Sequence, residues 1–297
     1  MTEGIVLLDK PVGTTSFQSL GALKRRLGTG RVGHTGTLDR FAEGLLVVMA
    51  GRMTRLCALA TALDKVYVAT VTFGRETSTL DPEGETVGEG IVPSRDQING
   101  VLPDFIGESL QVPPAYSAIH VGGVRAYRAA RRGDVVTLRP RPIRIDALEV
   151  LSYEPPELVI RVACSKGTYI RSLARDIALA AGTRGFVSAL RRTRVGGFRV
   201  EDAVSPENFD PARDLLPSAV FFSAVPGLGL LRVKEGSTRA MSTGRELSSA
   251  CFEEPPSADG CFGAFADDGR LVAIVEMSRG SWRYAATFPD PAPESDA

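Results

Sequence analysis

Apolar positions along the chain fall into two kinds of run. Ile5 to Leu8 and Leu45 to Met49 are unbroken, the pattern of strands covered on both faces. The stretch 65–73 alternates instead, with Tyr67, Ala69, Val71 and Phe73 on one side, as in a strand covered on one face. Strands are also predicted over 4–9, 44–50, 117–121 and 186–195. Residues 142–153 and 158–165 read as a hairpin joined by Glu154-Pro155-Pro156-Glu157. Helical spacing appears between them. Thr15 or Ser16 caps a helix that carries Phe17, Leu20, Leu23 and Leu27 on one side, and Gly28 ends it. Residues 52–63 form a second helix, and Ser94 caps a short third one ending near Leu102-Pro103. Residues 124–132 set Arg125, Arg128, Arg131 and Arg132 at helical spacing. Residues 168–181 turn Ile170, Leu173, Ile177 and Ala181 inward, with Gly182 closing the helix. Residues 75–92, glycine-rich and acidic, read as a long exposed loop.

The character changes after residue 200. Pro206, Pro211, Pro217 and several acids read as a linker, followed by short strands at 263–265, 271–276 and 284–288, with Asp267-Asp268-Gly269 as a hairpin turn. The division expected is a catalytic domain over 1–204, a linker over 205–220, a small β-rich domain over 221–288 and a disordered tail over 289–297. Strands in hairpins interleaved with helices favour an α+β fold with a mixed, mostly antiparallel sheet over a doubly wound parallel one.

With 297 residues, 43% of them hydrophobic, the chain can bury a full core. Glu3 precedes only four apolar residues and no run is long enough for a membrane span, so a soluble cytoplasmic protein is expected. The four cysteines form no C-x-x-C pair and the two histidines, His34 and His120, lie far apart; no metal is expected. Nothing demands more than a monomer. Net charge is zero, but residues 1–119 carry −2, residues 120–199 carry +10 and residues 200–297 carry −8. The basic middle is almost all arginine, which suits phosphate and stacks on bases; a solvated arginine face has the same composition.

Chemistry concentrates at Gly33-His34-Thr35-Gly36-Thr37-Leu38-Asp39, between the two unbroken runs. An aspartate in a glycine-rich turn serves either as a turn former or, ionised at neutral pH, as a nucleophile that needs positioning more than activation. An arginine supplies that grip. Ser165-Lys166-Gly167-Thr168-Tyr169-Ile170-Arg171 joins a strand to a helix and offers Arg171, with Arg175 on the same face. A cation in a helix's first turn opposes the dipole, so an anion should hold it there. Tyr67 is a core aromatic or a ring for stacking on a base. His34 is a packing residue or a contact. Gly28-Thr29-Gly30-Arg31-Val32-Gly33 has the G-x-G-x-x-G spacing, but a helix precedes it where a dinucleotide loop needs a strand.

Ordered blocks carry a resemblance over residues 4 to about 204. They are Leu7-Leu8-Asp9-Lys10-Pro11-Val12-Gly13, the loop from Gly33 to Asp39, Val112-Pro113-Pro114-Ala115-Tyr116-Ser117-Ala118, the stretch from Cys164 to Arg171, and Leu190-Arg191-Arg192-Thr193. Together they resemble the tRNA pseudouridine-55 synthases, the TruB family. The resemblance implies a pseudouridine-synthase core and a C-terminal domain similar to the PUA domain. It implies conversion of uridine to pseudouridine in the tRNA T-loop, with base flipping and without cofactor or metal. It places Asp39 on the nucleophile, Arg171 on its arginine partner and Tyr67 on the tyrosine that packs on the uracil. Tyr169, Leu190 and Lys10 fall on substrate positions, and His34 on a histidine that enters the T-loop. Arg128, Arg131 and Arg192 are expected to hold the opened RNA. The family usually follows its aspartate with proline; here Arg40 stands in that place. The alternative is a tRNA-binding protein that remodels RNA without chemistry, which would need neither Asp39 nor Arg171.

Overall fold

The unbroken apolar runs lie side by side in the computed structural model, which describes residues 2–117, 120–121, 124–125, 138–245 and 247–289. In chain order the elements are β1 (Gly4–Lys10), α1 (Ser16–Leu27), β2 (Val32–His34), β3 (Glu43–Ala50), α2 (Cys57–Thr61), β4 (Lys65–Phe73), β5 (Arg75–Thr77), β6 (Thr86–Glu89) and α3 (Arg95–Val101). Next come β7 (Gly107–Gln111), β8 (His120–Val121), β9 (Val124–Arg125), β10 (Arg141–Glu154), β11 (Glu157–Cys164), α4 (Ile170–Ala180), β12 (Gly185–Val195) and β13 (Phe198–Arg199). The chain ends with α5 (Pro211–Asp214), α6 (Ala219–Ala224), β14 (Leu228–Arg232), α7 (Thr238–Ser242), β15 (Gly260–Phe265), β16 (Leu271–Ser278) and β17 (Ser281–Thr287).

One sheet runs β1-β3-β12-β4-β11-β10-β7, with β2 on β3 and β13 on β12. Its pairs are antiparallel except β3 with β12, where Arg191 and Arg192 lie opposite Glu43 and Gly44. Burial accounts for the two sequence patterns. β1 and β3 are covered on both faces, by α1 on one side and by Phe198, Phe221 and Phe222 on the other. β4 is covered on one, so Tyr67, Ala69, Val71 and Phe73 pack under α4 while the alternate residues do not. A second sheet, β14-β15-β16-β17, shares a core with the first. Phe222 meets Phe221 and Phe265 edge-on, each pair with centroids 5.6 Å apart, and each buried ring stabilises the junction by about 1.5–3 kcal/mol.

Four expectations are corrected or bounded. Phe17 is 72% exposed, with the Lys24 ammonium 4.7 Å from its ring. Ser16 and Ser19 take the buried side of α1 with Leu20, Leu23 and Leu27, which turns Phe17 about 100° off that stripe. Residues 75–92 are a β5–β6 hairpin rather than an exposed loop, and its tip is buried: Thr77, Leu80 and Asp81 are each under 7% exposed. Of the expected helix over 124–132 only Val124 and Arg125 are described, as a strand paired with His120 and Val121; Arg128, Arg131, Arg132 and residues 290–297 lie outside the described residues. The stretch read as a linker covers the free edge of β1. Ile5 exchanges hydrogen bonds with Leu216, and Val204 bridges Leu7 and Asp9, which leaves that edge no open template.

Candidate active site

Asp39 lies in the loop between β2 and β3, and the loop is pinned along its length. Thr35 N donates to Val47 O at 3.0 Å. Ser16, buried at the start of α1, accepts from Leu38 N at 2.9 Å and donates to Leu38 O at 3.1 Å through one hydroxyl. Gly13 N donates to Arg40 O, and Arg40 Nε donates to Gly13 O, both at 2.9 Å. Arg40, at the position of the usual proline, thus secures the loop by hydrogen bonds to the turn after β1. Gly44 allows β3 to meet β12: its φ is +102°, and a Cβ there would stand 2.4 Å from Arg192 O.

Arg171 reaches this loop from the first turn of α4. Its Nε is 2.9 Å from Asp39 Oδ2. Nη1 bonds Asp81 Oδ2 at 3.1 Å and Thr79 O at 2.9 Å, and Nη2 bonds Tyr116 O at 2.9 Å. The two carboxylates answer the unfavourable helix dipole. The Arg171 side chain is 5% exposed and that of Asp39 is 41% exposed, so a buried fork holds an accessible carboxylate. Burial among its neighbours raises the Asp39 carboxyl above its ordinary value; Arg171 opposes that rise, Asp81 and Glu83 add to it, and Lys10 opposes it.

Asp81 was not legible as a site residue. Its surroundings, Leu80-Asp81-Pro82-Glu83-Gly84, read as an acidic surface turn. The hairpin tip buries it because Leu80 adopts a left-handed backbone, φ +61°, of the kind that costs about 1–3 kcal/mol and gathers at functional sites. Asp81 Oδ1 accepts from Glu83 N at 3.0 Å and from the Thr79 hydroxyl, leaving Oδ2 for Arg171. Gln111 is a second unforeseen residue. Its side chain accepts from Tyr169 N at 2.8 Å and donates to Tyr169 O at 3.1 Å. It thereby sets the backbone from which α4 starts, a role with no sequence signal.

Tyr67 and Leu190 share one packed cluster with Leu38 and Ile170, on neighbouring strands beside the loop. Burial raises the Tyr67 phenol, with Arg192 opposing; burial also raises that of Tyr169. His34 is half-buried at the end of β2. Desolvation first, then the charge of Arg192, hold its imidazole below the ordinary value, so it is neutral at pH 7. Two expected RNA contacts lie inside the protein. Lys10 is 0% exposed and donates to Pro11 O at 3.0 Å and Thr14 O at 2.7 Å; burial brings its ammonium down to about 8 against the pull of Asp39 and Glu43. Arg192, expected on phosphate, is 1% exposed and bonded to backbone carbonyls of the protein itself. The chemistry available is that of an accessible, oriented carboxylate beside a tyrosine and a leucine. Grooves of about 550 Å³ open elsewhere, along α1 and beside β14. No group of three or more His, Cys, Asp or Glu among the described residues is placed to hold a metal ion, and no described helix is long and apolar enough to cross a membrane.

Comparison with known proteins gives this geometry a context. A family model for the N-terminal domain of TruB family pseudouridylate synthases matches residues 24–170, and one for the C-terminal domain of tRNA pseudouridylate synthase B matches residues 171–214. The chain is 37% identical to tRNA pseudouridine synthase B of Thermobifida fusca, over 97% of this chain and 99% of the other. It is 41% identical to the protein of that name from Mycobacterium sp. (strain KMS), over 92% of each chain. It is 43% identical to that from Borreliella burgdorferi (strain ZS7), over 71% of this chain and 76% of the other. Among solved structures, a Cbf5-Nop10-Gar1 complex superposes with TM-score 0.71 at 24% identity, covering 97% of this chain and 84% of that one. An archaeal box H/ACA Nop10-Cbf5 complex gives 0.70 at 23%, covering 97% and 87%. The α+β core expected from the sequence is therefore the fold observed.

Proposed function

Because the chain belongs to the TruB family of pseudouridylate synthases, we propose that it isomerises uridine 55 in the T-loop of tRNA to pseudouridine, with Asp39 as the nucleophile. The family makes it an isomerase acting on RNA; the target position and the residue roles are our reading. The observation that carries them is the contact of 2.9 Å between the accessible Asp39 carboxylate and the buried Arg171 guanidinium. A protein that only bound RNA would have no use for a carboxylate held in this way.

The target base lies inside a folded loop and is flipped out before reaction. Asp39 attacks either the uracil ring or the sugar carbon C1′, and both routes share one balance. The N1–C1′ bond breaks, the base rotates, and C5 bonds to C1′. The hydrogen on C5 leaves as a proton and N1 gains one. Nothing is oxidised or reduced, so the reaction as written calls for no co-substrate. Arg171 keeps Asp39 ionised and aimed. Tyr67 and Leu190 fix the ring, with the Tyr67 phenol beside the proton that leaves C5. Tyr169 borders the site, and neutral His34 stacks on the opened loop bases. Lys10, buried behind the loop, acts on the substrate only through Asp39. The exposure of Asp39 suits a substrate that brings its own cover, a folded RNA closing over the cleft.

The test is an Asp39→Asn protein incubated with T-arm RNA, with the product mapped by carbodiimide modification. It should bind the RNA as wild type does and form no pseudouridine. Near-normal turnover would remove Asp39 from the role of nucleophile. Product from the wild-type protein at a uridine other than 55 would overturn the assigned position.

A further inference from the structure

The largest fully buried side chain in the described structure is charged and belongs to no ion pair. Arg192 on β12 is 1% exposed, and no described carboxylate pairs with it. Desolvating a guanidinium without a counter-ion costs several kcal/mol, and an apolar side chain at this core position would avoid that cost. Something must depend on it.

Its bonds say what. Nη2 donates to Gly36 O at 3.1 Å, and Nε donates to Leu45 O at 2.7 Å. These carbonyls bracket the Asp39 loop, one before the aspartate and one after it. The Arg192 backbone lies against Gly44 in the parallel β3–β12 pairing. In the other direction it sits opposite Tyr67 on β4, and its charge acts on the Tyr67 phenol against the effect of burial. One planar group thus touches both ends of the nucleophile's loop, and its charge reaches the tyrosine beside it. A lysine has a single ammonium and lacks the planar fork that reaches both carbonyls from one side chain.

We propose that Arg192 is the positioning residue of this site: it closes the loop from Gly36 to Leu45 and ties it to Tyr67, so that Asp39 and Tyr67 hold one relation to the flipped base. The proposal rests on the reading of Asp39 as nucleophile. The charge has a second consequence that supports it. His34, at the start of the same loop, is held neutral by burial and by Arg192, which keeps an uncharged ring available for stacking.

The experiment compares Arg192→Met and Arg192→Lys with wild type and with Asp39→Asn, all full-length, on T-arm RNA. RNA affinity, single-turnover rate at saturating RNA, melting temperature and the NMR titration of His34 are measured; the chain has only two histidines, so the imidazole signals can be assigned. In Arg192→Met the single-turnover rate should fall about 100-fold, the scale of a misplacement of about 1 Å, with RNA affinity unchanged. His34 should titrate higher than in wild type. Arg192→Lys keeps the charge and loses the fork, so it should be slow while His34 titrates as in wild type. Exogenous methylguanidinium should restore part of the rate of Arg192→Ala. A wild-type single-turnover rate in folded Arg192→Met, or a loss confined to RNA affinity, overturns the proposal. Should Arg192→Met fail to fold, Arg192→Lys decides: a wild-type rate overturns the fork, and a slow rate at unchanged affinity upholds it. An active Asp39→Asn would instead bring down the nucleophile reading; an inactive Asp39→Asn beside a fully active Arg192→Met would bring down this inference alone.

Discussion

Replacing Asp81 by asparagine removes a negative charge from beneath Arg171 and keeps the side chain's shape. Two effects reach Asp39 with the same sign. Asp81 raises the Asp39 carboxyl by like-charge repulsion, so its neutralisation lowers it. Arg171, shared in the wild type between Asp39 at 2.9 Å and Asp81 at 3.1 Å, is left with Asp39 as its one carboxylate, which lowers it further. A nucleophilic carboxylate must be ionised, so the acid limb of the pH–rate profile moves to lower pH. The structural cost is worked separately. Asp81 and Arg171 are both nearly buried, 6% and 5% exposed, and a charge-assisted hydrogen bond there contributes about 1.5–3 kcal/mol. The asparagine oxygen satisfies Glu83 N and the Thr79 hydroxyl, which turns its NH₂ toward the Arg171 Nη1 donor. Arg171 keeps Asp39 and the carbonyls of Thr79 and Tyr116, so the loss stays below the roughly 3–5 kcal/mol of a buried charge stripped of its partner. We expect about 2–3 kcal/mol of lost stability and a maximal rate about 10–100-fold lower, the scale of a positional loss. Each turnover replaces the C5–H bond, so release of tritium from C5-labelled RNA across pH reads the profile, and a denaturant titration reads stability. An acid limb that stays in place or moves up would refute the electrostatic link between Asp81 and Asp39.

The remaining predictions concern charge and helix capping. Lys10 and Lys65 are both brought down to about 8 by burial, so between pH 8 and 10.5 the unfolded chain binds protons that the folded one does not, and stability rises with pH there by about 1.4 kcal/mol per pH unit for each lysine. Lys10→Met and Lys65→Met should each remove one such increment relative to wild type in denaturant titrations over that range, whereas curves parallel to wild type would count against the burial cost. The Thr15 and Gln18 side chains form a reciprocal cap at the start of α1, so Thr15→Ala should lose about 1 kcal/mol by calorimetry, and turnover should hold because Ser16 still clamps Leu38.

What could be read from the sequence depended on whether a pattern was local. The unbroken runs of β1 and β3 and the alternation of β4 announced strands because burial on two faces or one writes itself directly into residue order. Asp39 and Arg171 could be nominated for the same reason: a glycine-rich loop and a strand-to-helix turn are local features, and a cation in a first helical turn asks for an anion. Their contact could not be derived, since 132 positions separate them and only the sheet order joins β3 to the elements around α4. Asp81 failed on both counts. Its polar turn looked exposed, and its burial comes from Leu80 in a left-handed backbone, which no leucine advertises. Phe17 failed by rotation alone, since two serines that read as surface residues took the inner face of α1.

The basic middle of the chain was the least faithful signal, and the reason is physical. Counting charges along a segment assumes that they face solvent together. Folding pairs five of the described ones with acids, of the same segment or of earlier ones: Arg144 with Asp64 and Asp146, Arg161 with Glu149, Arg175 with Asp176, Arg184 with Glu76, and Arg191 with Asp9 and Glu43. Arg171 and Arg192 go inside, one to hold a carboxylate and the other to hold carbonyls. Of the described cations in the segment, Arg139, Arg141, Lys166, Arg194 and Arg199 remain exposed and outside these pairs. Arg194 and Arg199 line a groove with Val66 and Val68, on the sheet face away from Tyr67. Arg141 and Lys166 flank the approach to Tyr169 by chain position, on β10 opposite Gln111 and in the turn before α4. The exposed cations are thus divided, Arg141 and Lys166 toward Tyr169 and Arg194 and Arg199 on another face, so a count along the segment overstates the charge that any one surface presents.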